Sequence, residues 1–220
     1  MDLHTLGETA RRRIVDSENP ESIASGFRRR RWTRMLQRFP DLDQMRVLDL
    51  GGTVQHWATS PVAPASLTVL NLMEQDPPDS SVGVVVGDAC DPPHSITAEH
   101  YDLVYSNSVL EHVGGHARRQ RMATVVTDLG DHHWVQTPNR YFPIEPHWLF
   151  PGFQFLPVSA RVWLTENWPL GYIRGIGRGA VEQVLFTELI GSREMSYLFP
   201  GAELQTERVL GLTKSLISVR

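Results

Sequence analysis

The first two thirds of the chain contain five short apolar runs, each bounded by glycine, proline or small polar residues. Runs of four to seven residues rich in Val, Leu and Tyr are typical of buried β-strands. Loops or helical segments connect them, which favours a parallel sheet covered on both faces. The predicted strands span residues 47–50, 66–72, 82–86, 100–105 and 133–137.

Helical periodicity and a closing hairpin complete the predicted fold. Apolar residues from Phe27 to Phe39 recur near i, i+4, i+7, i+8 spacing, which predicts an amphipathic helix that ends at Pro40. Two runs near the carboxyl end meet at Gly211 and predict an antiparallel hairpin, so the sheet becomes seven-stranded and mixed. Further helices are predicted at residues 117–129, 159–168, 180–189 and 192–199, and the hairpin strands at 203–210 and 212–219.

Composition limits the class of protein. The chain has 220 residues, 41% of them apolar and 21% charged, which suits one α/β domain over residues 1–220 with an N-terminal helical segment, 1–40. A net charge of −4 argues against a nucleic-acid partner, and no apolar run reaches the ~18 residues of a membrane span. One cysteine, Cys90, forbids an internal disulfide and fits a reducing compartment. We therefore expect a cytoplasmic protein with no membrane insertion.

Residues 141–182 interrupt the alternation of strands and helices. Their prolines oppose a long helix, and their aromatic residues are too many for an ordinary solvated loop. We interpret this segment as an insertion that folds over the ligand-binding edge of the sheet and covers the substrate there. The aromatic side chains suit stacking on sugar faces, lining an apolar substrate site, or packing in a core or a homodimer contact. They are Tyr141, Phe142, Trp148, Phe150, Phe153 and Phe155.

Polar or small residues follow each of the first four predicted strands. They are Gly51-Gly52, Asn71, Asp88 and Ser106. In open α/β sheets ligands bind at the carboxyl edge of the strands, so these residues predict a ligand site there. A nicotinamide dinucleotide enzyme would need Gly-x-Gly-x-x-Gly after the first strand, and the run from Gly51 to His56 fails that spacing twice.

The order of these motifs resembles class I S-adenosylmethionine-dependent methyltransferases, which have a Rossmann-like fold. The resemblance covers residues 46–220 and is carried by Val47-Leu-Asp-Leu-Gly-Gly52, Gly87-Asp-Ala89 and the segment from Tyr101 to Val113. Residues 134–147 are similar to a bacterial, actinobacterial-type subgroup, some of whose relatives methylate sugar hydroxyls.

The resemblance implies a role for each strand end. Asp49 and the backbone of Gly51-Gly52 would hold the methionine part of S-adenosylmethionine, and Ser106 would line the sulfonium. Most relatives carry a carboxylate for the ribose where this chain has Asn71, so Asn71 or Glu74 would take that role.

The adenine contacts follow in the same way. Asp88 would accept a hydrogen bond from the adenine amino group, and the Ala89 N–H would donate to the ring.

A sugar hydroxyl needs a base, and histidine is the natural one near neutral pH. His147, beside Glu145 in the insertion, is the first candidate, and His112 is the second. Glu111, Glu145 and His147 are also candidate ligands for Mg²⁺, which would acidify the hydroxyl.

These features together predict an O-methyltransferase that acts on a sugar, oligosaccharide or glycolipid hydroxyl. Two alternatives stay open: a methyltransferase for a small aromatic, lipid or carboxylate acceptor, and a cofactor-binding subunit without activity. A homodimer is also an open expectation.

Overall fold

The computed structural model describes residues 23–220, which form two compact units. The sheet unit comprises residues 42–143 and 185–220. The small unit comprises residues 144–184 together with the N-terminal part of the chain up to Asp41. The small unit coincides within a few residues with the insertion proposed from the sequence, and the assignment of one domain stays a prediction.

A seven-stranded mixed sheet forms the centre of the sheet unit, as predicted. Its strand order is β3-β2-β1-β4-β5-β9-β8, and β9 alone runs against the other six. The strands are β1 (Arg46–Leu50), β2 (Ser66–Asn71), β3 (Val82–Val86), β4 (Tyr101–Asn107), β5 (Gly130–Pro138), β8 (Glu203–Val209) and β9 (Leu212–Val219).

The central strands are apolar because both of their faces are covered. Leu48 and Leu50 on β1, Val104 on β4 and Val135 on β5 are fully buried in one core cluster. Such near-continuous apolar strands are typical of parallel sheets between two layers of helices. This order brings the carboxyl ends of β1 to β4 to one edge of the sheet.

The helices of the sheet unit are few and mostly short. The connection between β1 and β2 has only a single helical turn, which is unusual for a parallel crossover. The helices are α2 (Val54–Trp57), α3 (His94–Thr97), α4 (His116–Leu129) and α7 (Ser192–Leu198), with a 3₁₀ turn at Leu110–His112.

Several predicted boundaries differ from the structure, two of them by three residues. Strand β5 begins at Gly130, three residues before the predicted start, because Gly130 already pairs with Tyr101 on β4. Helix α6 (Arg178–Phe186) ends three residues before the predicted end at 189. The chain leaves the helix there because the Glu188 N–H donates to the Glu111 carbonyl and Ile190 forms a bridge with Asn139.

The small unit has its own aromatic core. Trp148 and Phe153 stack with their ring centroids 4.1 Å apart, and the Trp148 Nε1–H donates to the Thr165 hydroxyl at 2.8 Å. Leu164 and Val184 complete this core. Among the described residues its elements are α1 (Ile23–Arg38), β6 (Ile144–Glu145), β7 (Phe150–Pro151), α5 (Val158–Asn167) and most of α6.

Helix α1 covers the predicted amphipathic segment as far as Arg38 and begins earlier, at Ile23. It buries Trp32 and Met35, and Phe39 directly after the helix is buried as well. The remainder of the predicted N-terminal helical segment, residues 1–22, lies outside the described residues. Across residues 23–220, every helix is too short or too polar to cross a membrane.

The burial of β1 predicts a large difference between two leucine substitutions. Leu48→Ala should lower the free energy of unfolding by about 2–5 kcal/mol, because it leaves a cavity in the central strand. Leu212→Ala, at a half-exposed position on β9, should cost less than about 1 kcal/mol. Urea denaturation measures both, and equal midpoints would contradict this account of the core.

Candidate cofactor-binding site

A cavity of about 490 Å³ opens at the carboxyl edge of the sheet, inside the sheet unit. This volume lies within the ~300–1,000 Å³ typical of small-molecule sites. Residues following four strands line it: Gly51 after β1, Asn71 and Leu72 at the end of β2, Asp88 and Ala89 after β3, and Ser108 and Val109 after β4. His112, Arg118 and Phe186 also line it. The strand-end site predicted from the sequence is therefore a single cavity.

The loop after β1 requires both of its glycines. Gly51 has φ of +78°, and a Cβ there would lie 2.5 Å from Val109 Cγ1. A Cβ on Gly52 would overlap the Asp49 carboxylate. Because neither glycine has a side chain, the loop backbone stays open to the cavity at Gly51 and packs directly on Asp49 at Gly52.

Asp49 is fully buried beneath this loop. Its Oδ2 accepts a hydrogen bond from Trp57 Nε1 at 2.8 Å, while its Oδ1 finds no donor among the described residues. Burial raises the pKa of Asp49 to about 7, although the bond from Trp57 lowers it in part. Asp49 does not itself line the cavity, so its predicted contact with the methionine end of the cofactor stays a prediction.

A cluster of aromatic side chains, which the sequence did not predict, holds the hydrogen-bond donor of Asp49 in place. The Trp57 ring packs edge-on against Tyr105, with centroids 5.1 Å apart. The Tyr105 hydroxyl hydrogen-bonds His56 Nε2 at 2.7 Å, and the Asp49 and Tyr105 backbones are register partners in β1 and β4. This packing fixes the indole N–H on the carboxylate.

Asn71 holds the glycine loop from the adjacent strand. Its Nδ2 donates to the Gly52 carbonyl at 2.7 Å and to the Gly51 carbonyl at 3.3 Å, and its Oδ1 accepts from the Met73 N–H. The observed contacts of the amide are therefore with the loop. A ribose contact by Asn71 stays a prediction, and the alternative residue, Glu74, is exposed and does not line the cavity.

Gln75 ties the loop to helix α2. Its Nε2 donates to the Gly52 carbonyl at 3.1 Å, and its Oε1 accepts from the Val54 N–H at 2.9 Å. The sequence reasoning missed this residue, which belongs to a polar loop without a regular pattern.

Asp88 lies in the cavity wall and makes two local contacts. Its Oδ1 accepts from the Cys90 N–H at 2.9 Å, and its Oδ2 accepts from Arg118 Nη2 at 2.5 Å. Burial alone would raise the pKa of Asp88, but the bonds from Arg118 and from the Cys90 N–H hold it below its usual value. Asp88 is therefore an ionised acceptor, as the predicted adenine contact requires.

Ser106 occupies a different place from the one predicted. It is fully buried, its hydroxyl donates to the Leu50 carbonyl at 2.9 Å, and it does not line the cavity. The strand continues to Asn107, so the lining positions fall at Ser108 and Val109 instead. The sequence placed the end of the strand two residues too early.

His112 lies on the rim of the cavity, in the 3₁₀ turn after β4. Its Nδ1 lies 3.3 Å from the Thr187 hydroxyl. The neighbouring Glu111 is fully buried, and its Oε2 accepts from the Thr137 hydroxyl at 2.9 Å. The two adjacent residues thus differ in environment, with the histidine exposed and the carboxylate buried.

The small unit contains a histidine–carboxylate pair. Glu145 Oε1 lies 2.7 Å from His147 Nδ1, and Glu145 Oε2 accepts from the backbone N–H groups of His147 and Trp148. The carboxylate is buried, whereas the imidazole is partly exposed. This arrangement fixes the orientation of the imidazole ring.

The same contacts occupy Glu145, one of the predicted metal ligands. Its two oxygens accept from His147 and Trp148, and Nδ1 of His147 faces the carboxylate as well. Mg²⁺ prefers oxygen ligands with most of its waters retained. The assignment of Glu111, Glu145 and His147 as magnesium ligands stays a prediction.

The aromatic residues of the predicted insertion differ in how far they are buried. Trp148 and Phe153 are buried core residues, as one of the two interpretations required. Tyr141 and Phe155 are more than half exposed. Stacking on a ligand is thus open only to these exposed rings and to the partly buried rings of Phe142 and Phe150.

Comparison with known proteins establishes the fold. No protein-family model and no curated protein sequence matches the chain. The N-methyltransferase NodS from Bradyrhizobium japonicum WM9 has a similar structure, with a TM-score of 0.51, 14% identity, and coverage of 92% of this chain and 97% of that one. The magnesium protoporphyrin IX methyltransferase ChlM from Synechocystis PCC 6803, with bound S-adenosylhomocysteine, is also similar. Its TM-score is 0.52 at 13% identity, and the match covers 90% of this chain and 85% of that one.

A third similar structure is the N-terminal domain of EvdMO1 with S-adenosylhomocysteine bound. Its TM-score is 0.54 at 14% identity, and the match covers 100% of this chain and 96% of that one. The chain therefore has the Rossmann-like fold of S-adenosylmethionine-dependent methyltransferases, with the terminal antiparallel strand that the sequence predicted.

The buried carboxyl of Asp49 predicts a pH dependence of stability. Its pKa is raised on folding, so the protonated form is favoured in the folded state and stability falls as pH rises from about 4 to about 7. Asp49→Asn cannot ionise at this position. The free energy of unfolding of the variant should therefore rise relative to that of the wild type, by up to roughly 1.4 kcal/mol per pH unit in this window.

Urea denaturation at several pH values, without ligand, measures this difference. Asp76→Asn, at an exposed carboxylate, is the control and should track the wild type. A constant gap between Asp49→Asn and the wild type from pH 4 to 7 would show that Asp49 ionises normally.

Proposed function

We propose that the protein is an S-adenosylmethionine-dependent O-methyltransferase. The observation that carries the proposal is the cavity at the ends of β1 to β4, which is lined by Gly51 of the glycine loop and by the ionised Asp88, with the buried Asp49 packed beneath that loop. Rossmann-like folds host many functions, so the argument rests on the site and not on the fold alone.

The cavity offers partners suited to both ends of the cofactor. The loop backbone at Gly51 suits the charged amino-acid end, and the predicted role of Asp49 there is part of the proposal. Asp88 suits an N–H donor on the base, and the exposed apolar side chains of Leu72 and Phe186 suit its ring faces. When bound, S-adenosylmethionine supplies an electrophilic methyl group, so the protein must position an acceptor and remove its proton.

We assign the general base to His147, with His112 as the second candidate. The Glu145 carboxylate orients the His147 ring through Nδ1 and would stabilise the imidazolium that forms when Nε2 takes a proton. His112 has a hydroxyl partner, Thr187, which gives less stabilisation to a cation. A base of this kind needs no divalent ion, and Mg²⁺ enters the proposal only as the alternative way to acidify a hydroxyl.

The proposed acceptor is a hydroxyl of a sugar, oligosaccharide or glycolipid, because such hydroxyls need the base that Glu145 and His147 supply. Methylation of a small aromatic or lipid acceptor is the enzyme alternative. A carboxylate acceptor would need no base and would leave the pair without a catalytic role. We further propose a cytoplasmic location. The exposed Phe155 and Trp163 of the small unit support either acceptor contacts or a homodimer.

Cofactor binding distinguishes the proposal from its competitors. Isothermal titration should give one site for S-adenosylmethionine or S-adenosylhomocysteine and no heat for NAD or NADP. Gly51→Val should abolish that site, because its side chain would collide with Val109 at positive φ. Gly177→Val, at a positive-φ glycine whose Cβ would meet open space, controls for general strain. Binding of a nicotinamide cofactor alone would refute the proposal.

Turnover then tests the base. An acceptor screen with labelled methyl donor supplies the substrate, and His147→Ala should lower kcat by about 10²–10⁴-fold with cofactor affinity retained. His132→Ala is the matched control, since His132 is an exposed histidine bonded to a terminal carbonyl. Unchanged turnover in His147→Ala would transfer the role to His112. Binding of the cofactor without turnover of any acceptor would favour a non-catalytic subunit.

A further inference from the structure

Arg118 is a cavity residue to which neither the fold nor the proposed reaction gives a role. It lies in the first turn of α4, and its guanidinium reaches across to the loop after β3. Nη2 bonds Asp88 Oδ2 at 2.5 Å, and Nε donates to the Val113 carbonyl. The side chains of Arg118 and Asp88 are 38% and 33% exposed, so both reach solvent or a ligand.

An isolated ion pair at this exposure would contribute little, because each side chain would lose rotamer entropy to form it. Here the guanidinium is held at a second point, by Val113, so its planar fork is already oriented toward Asp88. The loop carrying Asp88 is tied to the same helix turn, since the buried Cys90 thiol donates to the Arg118 carbonyl at 3.3 Å. Two contacts thus join α4 to the end of β3.

The contacts leave acceptor capacity on Asp88. An ionised carboxylate has about four acceptor positions, and the Cys90 N–H and Arg118 use one on each oxygen. The remaining positions can only accept, because the ion pair with Arg118 opposes protonation of the carboxyl. A ligand group facing Asp88 must therefore bring an N–H or O–H donor.

We propose that Arg118 is a positioning residue that sets base specificity: by holding Asp88 as an oriented anion, it makes the cavity select an aminopurine nucleoside over an oxopurine one. The inference rests on the proposed function, since it takes Asp88 as the contact to the base of the cofactor. Adenine presents an exocyclic amino donor, whereas hypoxanthine presents a carbonyl oxygen that an anion repels.

S-adenosylhomocysteine and S-inosylhomocysteine test this directly, because they differ only at one edge of the base: the amino group becomes a carbonyl, and the adjacent N1 changes from an acceptor to an N–H donor. The wild type should prefer the adenosyl compound by at least about 100-fold in Kd. Arg118→Met frees the Asp88 carboxylate from its fixed orientation, which weakens its bond with the adenine amino group and lets the negative charge turn away from the hypoxanthine oxygen. The variant should lose about tenfold in affinity for the adenosyl compound and less than about twofold for the inosyl compound.

Two further variants separate specificity from stability. Arg121→Met, at an exposed arginine of the same helix, should keep the wild-type ratio of affinities. Asp88→Asn offers an amide that can donate to a carbonyl, so its ratio should move toward the inosyl compound even if Arg118→Met does not fold.

Each outcome has a defined meaning. Equal losses for both ligands in Arg118→Met, or an unchanged ratio, would overturn the proposal while leaving the proposed function standing. A wild type that binds neither compound would refute the proposed function and this inference together.

Discussion

The contact between the Asp49 carboxylate and the Cα of Gly52 is the constraint on which the rest of the site depends. The carboxylate is fully buried, and any side chain at residue 52 would overlap it. A buried carboxyl with one unpaired oxygen is costly to the folded state, as its raised pKa indicates. A costly buried carboxyl beneath a loop that borders a cavity marks a candidate functional site.

The surrounding elements are arranged to hold that contact. Trp57 supplies the hydrogen bond to Asp49, and Tyr105 packs against the indole. The side-chain amides of Asn71 and Gln75 donate hydrogen bonds to the Gly52 carbonyl from the side of β2. The loop is therefore held from three elements while its backbone at Gly51 faces the cavity. A preorganised loop of this kind is what the recognition of a charged small ligand requires, since little further ordering is needed on binding.

The sequence predicted the sheet well because strand formation depends on local patterns. Runs such as Val82–Val86 are apolar over the length of a strand, and the glycines after β1 follow from the turn they must make. The side-chain partners were less predictable. Ser106 was assigned to the cavity, but β4 extends beyond it and its hydroxyl braces the end of β1.

Arg118 is a residue of the cavity that the sequence did not single out. In the sequence it is one of several arginines on the polar side of a helix, and its contact with Asp88 joins residues thirty positions apart. Similarly, Asn71 carries the right chemistry for a ribose, yet its amide is engaged by the loop carbonyls next to it. Periodicity shows which face of an element is polar, but the partner of each polar group depends on how distant elements pack.

A crystal structure with S-adenosylhomocysteine bound tests the central claim most directly. The account predicts the homocysteine end against the Gly51-Gly52 loop and the adenine amino group within hydrogen-bond distance of the Asp88 carboxylate, with Arg118 still paired to it. Density for the ligand outside this cavity, or an adenine turned away from Asp88, would contradict the account.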